Sequence, residues 1–182
     1  MQRDSIAQKG PLAILSEWAD SMGAFRRNRI SASRKVVAAG LCNSGYSYRT
    51  VAGMLGEMSH VAVRDAYFAL VTSLPKSERR VRRLVAIDGE DVIVGGRDFH
   101  LWLARDVGSG EIMTFQASPN ASAGDGTQFL SSVASTCENR PLLRLGVGHN
   151  APRGLINLDL YFEDNGSLSL VGRIGRLLLL SR

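Results

Sequence analysis

The chain has 182 residues, 45% of them hydrophobic and 21% charged, with a net charge of +5. That composition fits one large domain or two small ones and is too apolar for a generally disordered chain. No apolar run approaches the roughly 20 residues of a membrane span, and Met1-Gln2-Arg3-Asp4 opens no signal-peptide pattern, so a cytoplasmic protein with no membrane partner is expected. Cys42, Cys137, His60, His100 and His149 are scattered, without metal-ligand spacing, which argues against a zinc site or a disulfide framework.

The charge is unevenly spread. Residues 1–84 hold 14 Lys/Arg against 6 Asp/Glu, and residues 85–182 hold 8 against 11. A basic front and a mildly acidic rear suggest a polyanion-binding module joined to something else. Leu12, Leu15 and Ala19, with Trp18 beside them, share one face of a short helix. Arg26-Arg27-Asn28-Arg29 is a basic cluster without an apolar period. From Ser33 the stripe Val36, Val37, Gly40, Leu41 predicts a second helix, broken at Asn43-Ser44-Gly45. Ser47 is placed to cap a helix over 48–55, and Ser59 a longer one to about residue 74, with Gly56-Glu57-Met58 as the turn between.

Two helices joined by a tight turn, the second longer, form a helix-turn-helix pattern at about 47–74, and such a motif sets its second helix in the major groove. The candidate DNA contacts at the start of that helix are Ser59, His60 and Arg64. Pro75 ends the helix. Residues 75–83 carry Lys76, Arg79, Arg80, Arg82 and Arg83 and read as a basic linker, with Arg79 and Arg80 as further DNA contacts.

Beyond Arg83 the period becomes strand-like. Residues 84–88 form a short apolar strand ending in Asp88, and 91–94 extend or follow it. Gly95-Gly96 makes a hairpin turn, 99–106 the next strand, and 111–117 a third after the turn Gly108-Ser109-Gly110. A helix over 125–139, a strand over 142–147, a helix from Pro152 through residue 158 and a short strand over 160–162 complete the order β-β-β-α-β-α-β. The expected fold class is α/β: a helical, helix-turn-helix-like region over 1–74, the linker, then a mixed sheet with flanking helices over 84–163, followed by an atypical tail over 164–182.

A carboxylate at the end of a buried strand is costly unless it is paired, hydrogen-bonded or bound to a metal, which singles out Asp88. Val85-Ala86-Ile87-Asp88, Val92-Ile93-Val94-Gly95-Gly96, Phe99 to Trp102, Ala104-Arg105-Asp106 and Ser109-Gly110-Glu111-Ile112 resemble the catalytic domain of archaeal insertion-sequence transposases of the DDE type. Asp125, Phe129 and Leu130, Pro141-Leu142-Leu143 and Pro152-Arg153-Gly154-Leu155 continue the resemblance. It implies a ribonuclease-H-like domain with Mg²⁺ or Mn²⁺ as cofactor, DNA (transposon ends and target) as partner, and self-association as a homo-oligomer. It makes Asp88 the first catalytic, metal-binding acid; Asp106, at the end of the neighbouring strand, is a further metal candidate by its position.

The family's Asp-Gly-Ala-Pro falls on His149-Asn150-Ala151-Pro152, so His149 takes the place of the second acid. The third falls near Leu177, beyond Asp164, the last acidic residue. With one acid of three, the resemblance implies a truncated or degenerate copy with weak metal binding. Two functions follow from it: a catalytically impaired transposase for DNA transposition, or a non-catalytic DNA-binding remnant or regulator derived from one.

Overall fold

The computed structural model describes residues 9–25, 29–146, 151–155, 161–163 and 167–169. Its first four helices are α1 (Pro11–Ser21), α2 (Ala32–Asn43), α3 (Tyr48–Leu55) and α4 (His60–Ser73). Three start on serine caps: Ser31, Ser47 and Ser59 accept from the backbone N–H groups of Arg34, Thr50 and Ala62. Each satisfies a donor that the first helical turn leaves open. α1 has no such side-chain cap. Its Leu12 N–H instead donates to the Glu90 carboxylate at 2.9 Å. A Cβ on Gly10 would lie 2.5 Å from that carboxylate, so glycine there admits the distant cap. Residues 35–41 of α2 are all buried, the pattern of a helix enclosed by its neighbours.

The strands are β1 (Leu84–Val94), β2 (Arg97–Asp106), β3 (Ile112–Ser118), β4 (Leu142–Leu145), β5 (Tyr161–Glu163) and β6 (Ser167–Ser169), with α5 (Ala123–Ser135) between β3 and β4. They form one mixed sheet in the order β3-β2-β1-β4-β6-β5. β1, β2 and β3 are an antiparallel meander, and β4 lies parallel to β1. Gly95 and Gly96 have φ of 60° and 73°, the left-handed pair of a two-residue hairpin turn. β1 runs unbroken through Asp88-Gly89-Glu90-Asp91, so Asp88 lies within the strand and not at its end. The cross-strand pairs Gly89–Trp102 and Glu90–Leu101 hold that stretch extended.

Two further expectations are corrected. Residues 153–155 form a turn, with Gly154 at φ 79°, where a helix from Pro152 was expected; residues 156–158 lie outside the described ones. The helix over 125–139 is α5, which starts and ends earlier. Ser122 accepts from Asp125 N–H while Asp125 accepts from Ser122 N–H, a reciprocal box that fixes its start.

The alternation of strand residues divides the core in two. Val92, Val94, Phe99, Leu101, Leu103, Ile112, Phe115 and Ala117 pack with α1–α4 on one face. Val85, Ile87, Trp102, Ala104 and Met113 pack with Phe129, Leu130 and Val133 of α5 on the other. The N-terminal helices therefore share a core with the sheet. The outer edge of β3 is covered as well: Asn43 Nδ2 donates to Phe115 O and Ser44 Oγ to Ala117 O, from the end of α2. Such contacts occupy carbonyls that an edge strand would offer to another chain.

α2 reaches β3 across Gly40, where a Cβ would sit 2.9 Å from Ala117 Cβ and 3.1 Å from its backbone nitrogen. Gly40→Val is expected to destabilise the fold by about 1–3 kcal/mol through overpacking, read as a lower midpoint in urea unfolding; an unchanged midpoint would refute this account of the helix–sheet contact.

Candidate functional site

Asp88 lies on β1, flanked by β2 and β4, and is 1% exposed. Its cross-strand partner is Leu103, so it shares the α1–α4 face of the sheet. Arg105 Nη2 on β2 donates to Asp88 Oδ2 at 3.0 Å. This pair meets the demand of the buried carboxylate with a side chain of the protein itself. The end of β4 adjoins it: Gly146 N–H donates to Ile87 O at 2.8 Å. On the far side of residues 147–150, Ala151 and Pro152 press on Gly89, where a Cβ would lie 2.5 Å from Pro152 Cα.

Asp106 is not brought to Asp88. It stands opposite Val85, and residues 85 and 88 of one strand point to opposite faces. Asp106 instead accepts from Arg82 Nη1 at 2.7 Å and Arg80 Nη2 at 3.2 Å, and Glu111 accepts from the same two arginines. Burial raises the Asp106 carboxyl, but the Gly108 N–H and Arg82 outweigh it and hold the carboxyl below its ordinary value. Arg82 is fully enclosed, donating also to Ser77 Oγ, Glu78 O and Thr136 O. Asn139 brackets the Arg82 backbone by accepting from its N–H and donating to its carbonyl. The basic segment 75–83 is thus fastened beside the end of α5. Of its proposed DNA contacts, Arg80 is taken up in the Asp106–Glu111 cluster, and Arg79 Nε donates to Cys137 O.

These positions test the expected divalent metal. Asp88 is engaged by Arg105, Asp106 lies on the other face, and among the described residues no three His, Cys, Asp or Glu side chains converge. The described donors do not fit a two-metal centre, which needs several carboxylates around ions roughly 4 Å apart. His149, Asp164 and Leu177 lie outside the described residues, as do Arg26, Arg27 and Asn28.

On α4, Ser59 Oγ is committed to its cap, while His60 and Arg64 are exposed. Arg64 lies beside Asp65, its Nη2 2.9 Å from the carboxylate. The exposed residues Val61, Arg64, Asp65, Phe68 and Thr72 run along one side of the helix.

A cluster on the α5 face was not singled out from the sequence. His100 Nδ1 is 2.7 Å from Asp91 Oδ1, and its Nε2 accepts from Arg153 N–H at 3.1 Å, so the proton sits on Nδ1. Trp102 Nε1 donates to Arg153 O, and Arg153 Nη1 to Asp91 Oδ2. Burial lowers the His100 pKa below its ordinary 6.5, outweighing Asp91. Together these bonds clamp residues 151–155 to β1 and β2. The only precursor in the sequence is the cross-strand register Asp91–His100, set by the Gly95-Gly96 turn.

No family model matches the chain. It is similar to an uncharacterized protein of Methanocaldococcus jannaschii, 33% identical over 142 residues, which are 76% of this chain and 66% of that protein. The chain thus matches about two thirds of the relative's length, and the relative's name assigns it no activity.

Because neutral His100 accepts from Arg153 N–H, the folded state resists protonation there. Its pKa is lowered on folding, so this stability is present above about pH 6.5 and is lost as pH falls from there toward the lower folded value. Unfolding free energy should therefore decline below that pH by at most about 1.4 kcal/mol per pH unit for this one proton. His100→Phe should remove that part of the slope in urea titrations at successive pH values; an identical slope in the variant would place the proton elsewhere.

Arg82→Met leaves the buried Asp106 and the partly buried Glu111 with only the half-exposed Arg80 as a cation. A loss of about 3–5 kcal/mol is expected, as for breaking a buried ion pair from one side. Lys9→Ala in the exposed Lys9–Glu17 pair should stay within about 0.5 kcal/mol. Equal urea midpoints for the two variants would contradict the structural role given to Arg82.

Proposed function

We propose that this chain is a transposase-family protein with a ribonuclease-H-like sheet, one that binds DNA and is impaired in cutting it. The observation that carries the reading is the position of Asp88. It lies on the first strand of an antiparallel meander, and after one helix the fourth strand returns parallel to that strand and ends beside it. The resemblance to DDE transposases asks for the first acid there, and the second after that fourth strand.

DNA binding is inferred from two features. The front of the chain is basic, and α3 and α4 are joined by the turn at Gly56, in the manner of a helix-turn-helix, with His60 and Arg64 exposed at the start of α4. Impaired cleavage follows from the donors: Arg105 already neutralises Asp88, and His149 brings no negative charge to the second corner. A divalent ion would have to displace a guanidinium to reach a single carboxylate. The non-catalytic, DNA-binding derivative is the form of the reading that the Asp88–Arg105 pair favours.

The test is fluorescence anisotropy with a labelled duplex over a salt series. Neutralised phosphates release counterions, so affinity should fall steeply between about 50 and 200 mM salt. Arg64→Ala should make the slope of log K against log salt shallower by about 1. Incubation with Mg²⁺ or Mn²⁺ should leave the duplex intact. Cleavage abolished by Asp88→Ala would overturn the assignment of a disabled centre, and absence of binding at low salt would overturn the DNA reading itself.

A further inference from the structure

Two arginines stand on the Asp88 face of the sheet, one on each side of β1. In register, Ala86 of β1 is opposite Arg105 of β2 and beside Arg144 of β4. Cross-strand partners share a face, so both side chains leave the sheet on the side of Asp88, flanking the small Ala86. Their backbones are two inter-strand spacings apart, about 10 Å, a span that two guanidinium groups close readily from opposite sides.

The two have different surroundings. Arg105 is oriented by Asp88, through Nη2, and its side chain is 29% exposed. Its Nε is buried without a hydrogen-bond partner, although a buried donor left unsatisfied costs roughly 1–3 kcal/mol. Arg144 is exposed on β4 and makes no ion pair among the described residues. The neighbouring arginines are differently engaged: Arg97 at the start of β2 donates to Met54 O, and Arg80 and Arg82, in the segment before β1, are held by Asp106 and Glu111 on the other face.

We propose that Arg105 and Arg144 form a phosphate clamp beside Asp88 that takes the sugar–phosphate backbone of a DNA strand without a metal ion. The inference rests on the DNA-binding reading and adds a second contact region, on the sheet and separate from α4. Guanidinium groups suit the task because their forked donors match phosphate oxygens. Asp88 acts as a positioning residue: it fixes the Arg105 guanidinium and touches no phosphate. Helices α1–α4 cover the apolar part of this face, so the strand would lie along the exposed ends of the two side chains, with arginine supplying the positive charge.

The experiment uses the full chain, its Arg64→Ala, Arg144→Ala, Arg144→Lys and Lys9→Ala variants, and labelled duplex and single-stranded DNA in separate arms without added divalent metal. Arg144 is exposed, so its replacement leaves the core intact, and unchanged far-ultraviolet circular dichroism and urea midpoint check this. Expected is a shallower salt slope for Arg144→Ala in at least one arm, by about 0.9 for duplex or about 0.7 for a single strand. Arg144→Lys should keep the slope, Lys9→Ala should match the parent, and the Arg64→Ala and Arg144→Ala losses should add. If Arg64→Ala alone weakens binding and Arg144→Ala matches the parent in both arms, the clamp is overturned while the DNA reading stands. If the parent binds neither DNA at low salt, both fall. Equal loss for Arg144→Ala and Lys9→Ala would make it a bulk charge effect and overturn it.

Discussion

β1 is paired with β2 over Val85–Val94 and with β4 over Leu84–Ile87, and its side chains enter both cores. Its alternation therefore decides where every charged group of the sheet goes. Even-numbered residues from Ala86 to Val94 face α1–α4, and odd-numbered residues from Val85 face α5. A slip of one residue would exchange Asp88 and Glu90 for Ile87 and Gly89 and leave two carboxylates against α5. The Gly95-Gly96 turn, whose positive φ values a residue with a side chain resists, prevents that slip by fixing β1 against β2.

From this one constraint come three separate polar centres. Asp88 finds Arg105 on one face. Asp106, three cross-strand positions away and on the other face, finds Arg82 and Arg80. Glu90, two residues beyond Asp88, reaches the open N-terminus of α1 and replaces the cap that Gly10 does not provide. In each case a carboxylate that the strand forces inward is met by a donor from another element. The same sheet that gathers apolar side chains into two cores also ties the helical region, the segment 75–83 and the turn at 151–155 to itself.

That arrangement also explains why acidic residues suggestive in sequence do not make a metal centre among the described residues. Proximity along a strand or across a turn is not convergence. Asp106 follows directly on Arg105, which binds Asp88, yet the pleat sends Asp106 to the opposite side. Arg105 itself was legible only as part of a similarity pattern, because nothing in a strand of apolar residues says which charge will be drawn to a carboxylate on the next strand.

Much of the local structure was written in the residues. Ser47 and Ser59 start α3 and α4 because their hydroxyls meet open N–H groups three residues on, and Pro75 follows the end of α4 because it cannot continue a helix. The strand periods of residues 84–118 and the glycine turns between them gave the meander, since both depend on neighbours in sequence. What needed the tertiary structure was each pairing between distant residues. The burial of Arg82 against Asp106, the clasp of His100 on Arg153, the capping of β3 by Asn43 and Ser44, and the packing of α2 over Gly40 each join segments separated by 24 to 77 positions. Sequence patterns report which face of an element is apolar; only the folded chain determines which other face it meets, because that choice is made by shape, register and the need to pair every buried charge at once.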